Sequence, residues 1–262
     1  MKATLITGAS SGIGETFARR LAAEKHNLVL VARSENKLRE LCRELSDKYA
    51  ITAYPIALDL SKPESEKILF EETEKQGFEI EWLINNAGFG SMGYFTEIER
   101  ERELQMIDLN IRTLVALTHR YLAKMRERKS GVIINVSSAA GFQPLPFMAT
   151  YAATKAFVTS FTQAIAEENR PFGIIVQALC PGATETRFFD NAGMKEPVKV
   201  KGTQTPEQVV EAALKGVKKR KTTVISGLAN YFGAVLGTLA PDRLVTKTVA
   251  GVLRKRVEKD KQ

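Results

Sequence analysis

Short apolar runs alternate with longer charged stretches along the whole chain, and this alternation limits the fold more than any other feature. KATLIT (2–7), NLVLVA (27–32), ITAYPIAL (51–58), EWLIN (81–85), GVIINVS (131–137) and GIIVQAL (173–179) have the length and composition of buried strands. Between them lie segments with helical period, at 13–25, 34–48, 62–76, 101–128 and 151–169. Strands separated by helices of ten or more residues predict right-handed βαβ crossovers and a parallel sheet covered on both faces. Ser34 is the expected N-cap of the second helix. No linker, repeat or low-complexity segment interrupts the pattern. With 262 residues and 44% hydrophobic content, one doubly wound α/β domain is the economical reading, residues 1–130 forming one half and 131–262 the other. The irregular stretch from Pro181 to Pro206 is long enough to be a lid or substrate loop.

Between the first strand and the first helix stands TGASSGIG (7–14). Gly8, Gly12 and Gly14 allow a tight turn and close approach of the backbone to a diphosphate, Ile13 lies within the turn, and Ser10 and Ser11 add hydroxyls. The helix that follows contributes amide donors and the positive end of its dipole. The spacing G-x-x-x-G-x-G also suits a plain tight turn, and its position in the chain favours the phosphate site. At the end of the second strand, VARSE holds Arg33 where an acidic residue would bind ribose hydroxyls. Arg33 can pair with a 2′-phosphate, which favours NADP(H) over NAD(H), or it can face solvent beside the Ser34 helix. Asp59, followed by Leu60, can reach an adenine edge or serve as a helix cap.

YAATK (151–155) sets Tyr151 and Lys155 four residues apart, on one helix face. A nearby cation favours a phenolate, so the pair predicts a tyrosine tuned toward neutral pH; a core aromatic beside a surface lysine fits the bare spacing equally. IINVSSAAG (133–141) puts Ser137 and Ser138 at the C-terminal end of a strand, where open parallel sheets bind ligands, and NNAG (85–88) ends the preceding strand likewise. Asn110 lies inside a helix, which suggests a local task.

TGASSGIG, NNAG, Asn110, SSAAG, YAATK and PGATET (181–186) occur in the order seen in the short-chain dehydrogenase/reductases, which residues 1–190 resemble, and Ser138 precedes Tyr151 by that family's usual interval. The resemblance implies a Rossmann domain with about seven strands and a hydride exchange between NADP(H) and a carbonyl or alcohol. It makes Tyr151 the general acid in reduction and the base in oxidation. Lys155 would lower the Tyr151 pKa and bind the nicotinamide ribose, Ser138 would hydrogen-bond the substrate oxygen, and Asn110 would hold a water in a proton relay. Asn86, Ala87, Gly88, Pro181, Gly182, Thr184 and Thr186 would line the cofactor with the turn residues, Asp59 and Leu60. A homodimer or homotetramer, paired through helices that carry Ile107, Leu114, Leu117, Phe157 and Phe161, is expected on the same ground, although those residues could be internal.

SSAAGFQPLPFMATYAATKAFV is similar, more narrowly, to the 3-oxoacyl-CoA reductase and 17β-hydroxysteroid dehydrogenase-like branch. An apolar lip of Phe142, Leu145, Phe147, Met148, Phe188 and Phe189 suits an apolar substrate, and the same residues could pack as local core. A 3-oxoacyl thioester reductase is the second reading. A non-catalytic cofactor-binding regulator is the third, and intact Ser138, Tyr151 and Lys155 speak against it.

The net charge of +8 gathers partly in KKRK (218–221) and from Arg254 to Lys261. Without interleaved aromatics these runs read as a solvated helix end and tail, not a nucleic-acid site. Residues 222–240 carry no formal charge; a strand followed by a packed helix is favoured there over an interfacial contact or a membrane span. MKATLITGASSG has no signal-peptide character, and the branch's membrane anchor is not seen at this N-terminus. Cys42 and Cys180 lack metal-ligand spacing and read as reduced thiols. No metal is expected, and a cytoplasmic location is.

Overall fold

The computed structural model describes residues 1–186, 188 and 202–259. Seven parallel strands form one sheet: β1 (Lys2–Thr7), β2 (Leu28–Ala32), β3 (Ala53–Ala57), β4 (Glu79–Asn85), β5 (Val132–Val136), β6 (Ile175–Cys180) and β7 (Thr223–Ile225), in the order β3-β2-β1-β4-β5-β6-β7. Every residue of β2 and β5 is buried, which is why those runs are continuously apolar instead of alternating. Edge strand β3 is only partly buried and accommodates Pro55, whose missing N–H costs no ladder bond on an open edge.

Helices cover both faces. On one, α1 (Gly12–Ala23), α2 (Glu35–Tyr49) and α7 (Pro206–Lys218) bury Phe17, Leu21, Leu38, Leu45, Val209 and Ala213 against the sheet. On the other, α3 (Ser65–Lys75), α5 (Leu114–Arg128) and α6 (Ala149–Asn169) bury Leu69, Leu117, Tyr121 and Ile165. Thr205 and Gln208 form a capping box at the start of α7, with Pro206 at its first position. Ser34 occupies the N-cap position of α2, yet its side chain makes no capping bond.

The long helix predicted at 101–128 is broken into α4 (Arg100–Ile107) and α5 by a π segment, Asp108–Thr113, that contains Asn110. Such insertions are common at functional positions. Leu114 and Leu117 are buried, whereas Ile107 and Phe157 are exposed; Phe157 stacks on Phe161 with centroids 5.8 Å apart.

Two C-terminal expectations are corrected. After β7 the chain forms α8 (Leu228–Leu239), but only Ala234 of that helix is buried, so it is not a packed core helix. The basic segment from Arg254 is the end of α9 (Asp242–Lys259), a helix and not a tail; residues 260–262 lie outside the described residues. Among the described residues, no helix is long and apolar enough to cross a membrane.

Candidate active site

The strand order reverses between β1 and β4, so the turns after these strands flank one crevice at the carboxyl ends of the sheet. Thr7 and Asn86 join the two turns. Thr7 Oγ1 accepts from the amides of Asn86 (3.0 Å) and Ala87 (2.9 Å), and Asn86 Nδ2 donates to the carbonyls of Thr7 (2.9 Å) and Gly8 (3.1 Å). Gly8 turns the chain at φ +66°. Gly14 is buried behind the turn, where a side chain would collide with the Gly8 carbonyl and the Asn86 amide. Its role is close helix–strand packing, and it does not line the crevice.

A cleft of about 800 Å³ runs along this crevice and across the ends of β5 and β6. At one end it is lined by Gly8, Ser10, Ser11, Gly12 and Ile13, and farther out by Arg33, Asp59 and Leu60. Ser11 is the N-cap of α1 but makes no side-chain capping bond, so the first turn of α1 is not sealed by its own cap. Arg33 is exposed. Burial pulls the Asp59 carboxyl upward, but hydrogen bonds from Ser61 and the charge of Arg33 outweigh it and hold the pKa below the usual range. Its carboxylate takes both the Ser61 amide (3.0 Å) and hydroxyl (2.7 Å), so Asp59 does cap a turn while lining the cleft.

The other end brings Asn86, Ala87, Gly88, Ser138, Tyr151, Lys155, Pro181, Gly182, Thr184 and Thr186 around one space. Thr184 donates to the Gly182 carbonyl (3.0 Å), and Thr186 packs against Gly12 beside the first turn. Ser138 accepts from the Ala140 amide (3.1 Å) and donates to the Pro181 carbonyl (3.4 Å). Lys155 Nζ donates to the Val136 carbonyl (2.9 Å) and stands 5.8 Å from the Tyr151 ring centroid. The expected depression of the phenol pKa is not what these positions produce. Burial pushes Tyr151 up to about 12, partly offset by Ser138. Burial also lowers Lys155 to about 8, against a weaker opposing effect of Cys180. Burial therefore favours the neutral form of both groups.

Asn110 is fully buried and does not line the cleft. Its Oδ1 accepts from the Phe89 amide (3.2 Å), and its Nδ2 donates to the Phe89 carbonyl (3.0 Å) and Thr154 Oγ1 (3.1 Å). Thr154 in turn donates to the Tyr151 carbonyl (2.8 Å). Asn110 thus ties the chain after β4 to the helix that carries the tyrosine. Ser137, expected beside Ser138 at the strand end, donates its Oγ to the Lys155 carbonyl (2.7 Å), and Asn135, which was not foreseen, accepts from Asn85 (2.9 Å) and donates to Thr162 (3.0 Å). A polar residue inside an otherwise apolar strand was the available signal for Asn135.

The apolar lip divides. Leu145, Met148 and Phe188 line the cleft and cluster with Tyr151 and Met106. Phe188 lies 5.1 Å, centroid to centroid, from the tyrosine ring; Gly90 has no Cβ to obstruct that approach. Phe147 instead packs edge-on against Tyr94, and Phe142 does not line the cleft; Phe189 lies outside the described residues. Arg102, Gln105, Gln143 and Asn230 also line it, without having been singled out in the sequence.

Known proteins resemble this chain in sequence and fold. Residues 2–197 match the short chain dehydrogenase family. The chain is 32% identical over 252 residues to the very-long-chain 3-oxoacyl-CoA reductase of Rattus norvegicus, covering 94% of this chain and 78% of the relative. It is 33% identical over 229 residues to a 7beta-hydroxysteroid dehydrogenase of Mediterraneibacter gnavus, covering 86% of each. A short-chain dehydrogenase from Sphingobium yanoikuyae, solved in complex with NADPH, superposes with a TM-score of 0.83 at 34% identity, covering 93% of this chain and all of that one. The chain belongs to the short-chain dehydrogenase family and is an oxidoreductase acting on CH–OH and C=O groups.

Proposed function

We propose that this oxidoreductase is an NADPH-dependent reductase of bulky, apolar ketones, with Tyr151 as the proton donor. The observation that carries the reading is the buried Tyr151 phenol, in one cleft with Ser138 and Lys155 and walled on one side by Leu145, Met148 and Phe188. The residues present fit a dinucleotide. Ser10, Ser11 and the uncapped first turn of α1 suit a diphosphate, Arg33 a 2′-phosphate, and Asp59 an adenine edge. Lys155 would hold the nicotinamide ribose, and Asn86 to Gly88, Pro181, Gly182, Thr184 and Thr186 the rest of that end. When bound, the nicotinamide supplies or accepts the hydride.

The chain's own contribution is positional and protic. Ser138 and Tyr151 present two hydroxyls to one substrate oxygen; Tyr151 gives its phenolic proton, and Ser138 stabilises the charge developing there. The apolar wall keeps water from the reacting carbonyl and favours bulky substrates, in line with the acyl and steroid substrates in the names of two relatives. The likeness to the rat reductase favours one second reading, a 3-oxoacyl thioester reductase. Assembly through α4 and α6 is supported by the exposed Leu104, Ile107 and Phe157.

An NADPH-consumption screen over ketones graded by bulk, with 3-oxoacyl thioesters beside them, tests the reading. Turnover rising with apolar bulk supports it, and thioester-only turnover selects the second reading. The same screen with NADH tests the cofactor preference. Arg33→Asp is expected to shift the NADPH-to-NADH ratio by about ten- to a hundredfold, the worth of a charge-assisted phosphate contact; an unchanged ratio removes Arg33 from the account.

A further inference from the structure

Helix α8 has two unlike sides. Asn230, Gly233 and Ala234 line the cleft, and Gly237 packs against Gln143, which also lines it. These positions follow the i, i+3, i+4, i+7 spacing of one helix face. On the opposite face, Leu228, Phe232, Leu236 and Leu239 are 78%, 60%, 65% and 77% exposed, and Tyr231 lies at its margin, half exposed. No residue of α8 is charged. Two residues later α9 begins, with Leu244 and Val252 exposed on one stripe. Exposed Arg243, Lys247 and Arg254 run along one side of that stripe and exposed Lys255 lies on it, and the helix as a whole has six basic residues against two acidic.

An apolar stripe with aromatics, followed by a helix with two exposed apolar residues and a basic side, matches the surface of an anionic bilayer. A second copy of the chain fits less well. A contact between two copies through this face would bring twelve basic side chains of two α9 helices to one interface with four acidic ones, a charge that anionic lipid would instead neutralise. At 12 residues α8 is about 18 Å long, too short for a hydrocarbon core of about 30 Å, so it would lie on the membrane and not cross it.

We propose that α8 and α9 dock the protein on anionic lipid, so that α8 lies between the bilayer and the cleft it lines and an apolar carbonyl substrate enters past it from the lipid. Delivery rests on the reductase reading above; docking does not. The test is flotation of the full chain with vesicles of phosphatidylcholine alone or mixed with phosphatidylglycerol. Binding is expected to the mixed vesicles, and to weaken as salt is raised. Phe232→Ser with Leu236→Ser should lower the affinity by about tenfold or more. Arg254→Gln with Lys255→Gln, which leaves the apolar stripe intact, should do the same. Both variants should keep the turnover of a small water-soluble ketone, and both should lose rate on an apolar ketone carried in the mixed vesicles.

A chain that stays off both kinds of vesicle overturns the docking. So do variants that bind as the parent does, or a Phe232/Leu236 variant that loses an oligomer on size exclusion while vesicle binding is unchanged, which would assign the face to a second copy. Soluble-ketone turnover without vesicle binding removes the docking and spares the reductase. Vesicle binding without turnover of any carbonyl removes the reductase, and delivery with it.

Discussion

The two ends of the cleft are built differently. Around Tyr151 the groups are buried and held by the fold: Lys155 donates its amine to the Val136 carbonyl, Thr154 its hydroxyl to the Tyr151 carbonyl, and Asn110 is bonded to the Phe89 backbone and to Thr154. At the far end Ser11 and Arg33 are exposed, and Ser11 does not cap its own helix. The contrast separates two ways of making a site. A proton donor must be at its place before the substrate arrives, because misplacement of about 1 Å can cost a hundredfold in rate. A phosphate contact can be made by mobile surface groups whose charge does most of the recognition. Substitutions at the buried end should therefore reduce rate, and those at the open end should change selectivity.

The largest effect is expected for Tyr151→Phe. The substitution removes one hydroxyl from a ring that keeps its packing against Phe188 and Met148. Turnover should fall by about 10² to 10⁴, the range for a positioned acid, while the thermal midpoint changes little. Stopped-flow or steady-state assays beside a melting curve would show this. Unchanged turnover would break the contrast at its centre and take the proton donor's part from Tyr151; a parent without turnover would revive the non-catalytic regulator.

Much of this was legible in the sequence because parallel strands and ligand turns impose local patterns. Six apolar runs marked six of the strands, the seventh lay in the uncharged 222–240 stretch, and glycines marked the turn after β1. The residues brought together at the cleft were equally readable where their spacing is fixed by one helix, as for Tyr151 and Lys155. What was not readable depends on burial. The direction of the Tyr151 shift follows from how thoroughly the ring is desolvated, and four residues of local sequence do not report that. The exposed face of α8 was hidden for a similar reason. An apolar helix reads alike whether the fold or something outside it covers one side.

Asn110→Leu sharpens the comparison from inside the buried end. The side chain is close to isosteric, but it leaves the Phe89 amide and carbonyl and the Thr154 hydroxyl without the partner they have now. The expected cost is about 2 to 4 kcal/mol of stability. Turnover should fall by roughly ten- to a hundredfold as α6 loses its tie to the chain after β4. Denaturant unfolding with kinetics checks both. Lost rate at full stability would indicate that Asn110 acts on the reaction directly, as the proton-relay expectation holds, and not by positioning.

The smallest effect tests the burial itself. Lys155 titrates near 8 in the fold and near 10.5 when exposed, so between those values the unfolded chain holds a proton that the fold has released. Stability therefore rises with pH through this window, by on the order of 1 kcal/mol from pH 8 to 9, and the deficit is fully present below about 8. Tyr151 works the other way. With the fold near 12 and the exposed phenol near 10, it contributes no difference below about 10 and lowers stability above it. The difference in denaturant midpoint between the parent and Lys155→Met isolates the first component, because the remaining titrating groups are common to both. That difference should shift in favour of the parent as pH rises from 8 to 10. A flat difference would mean that the amine is hydrated in solution, which would make the catalytic end of the cleft as open as the phosphate end.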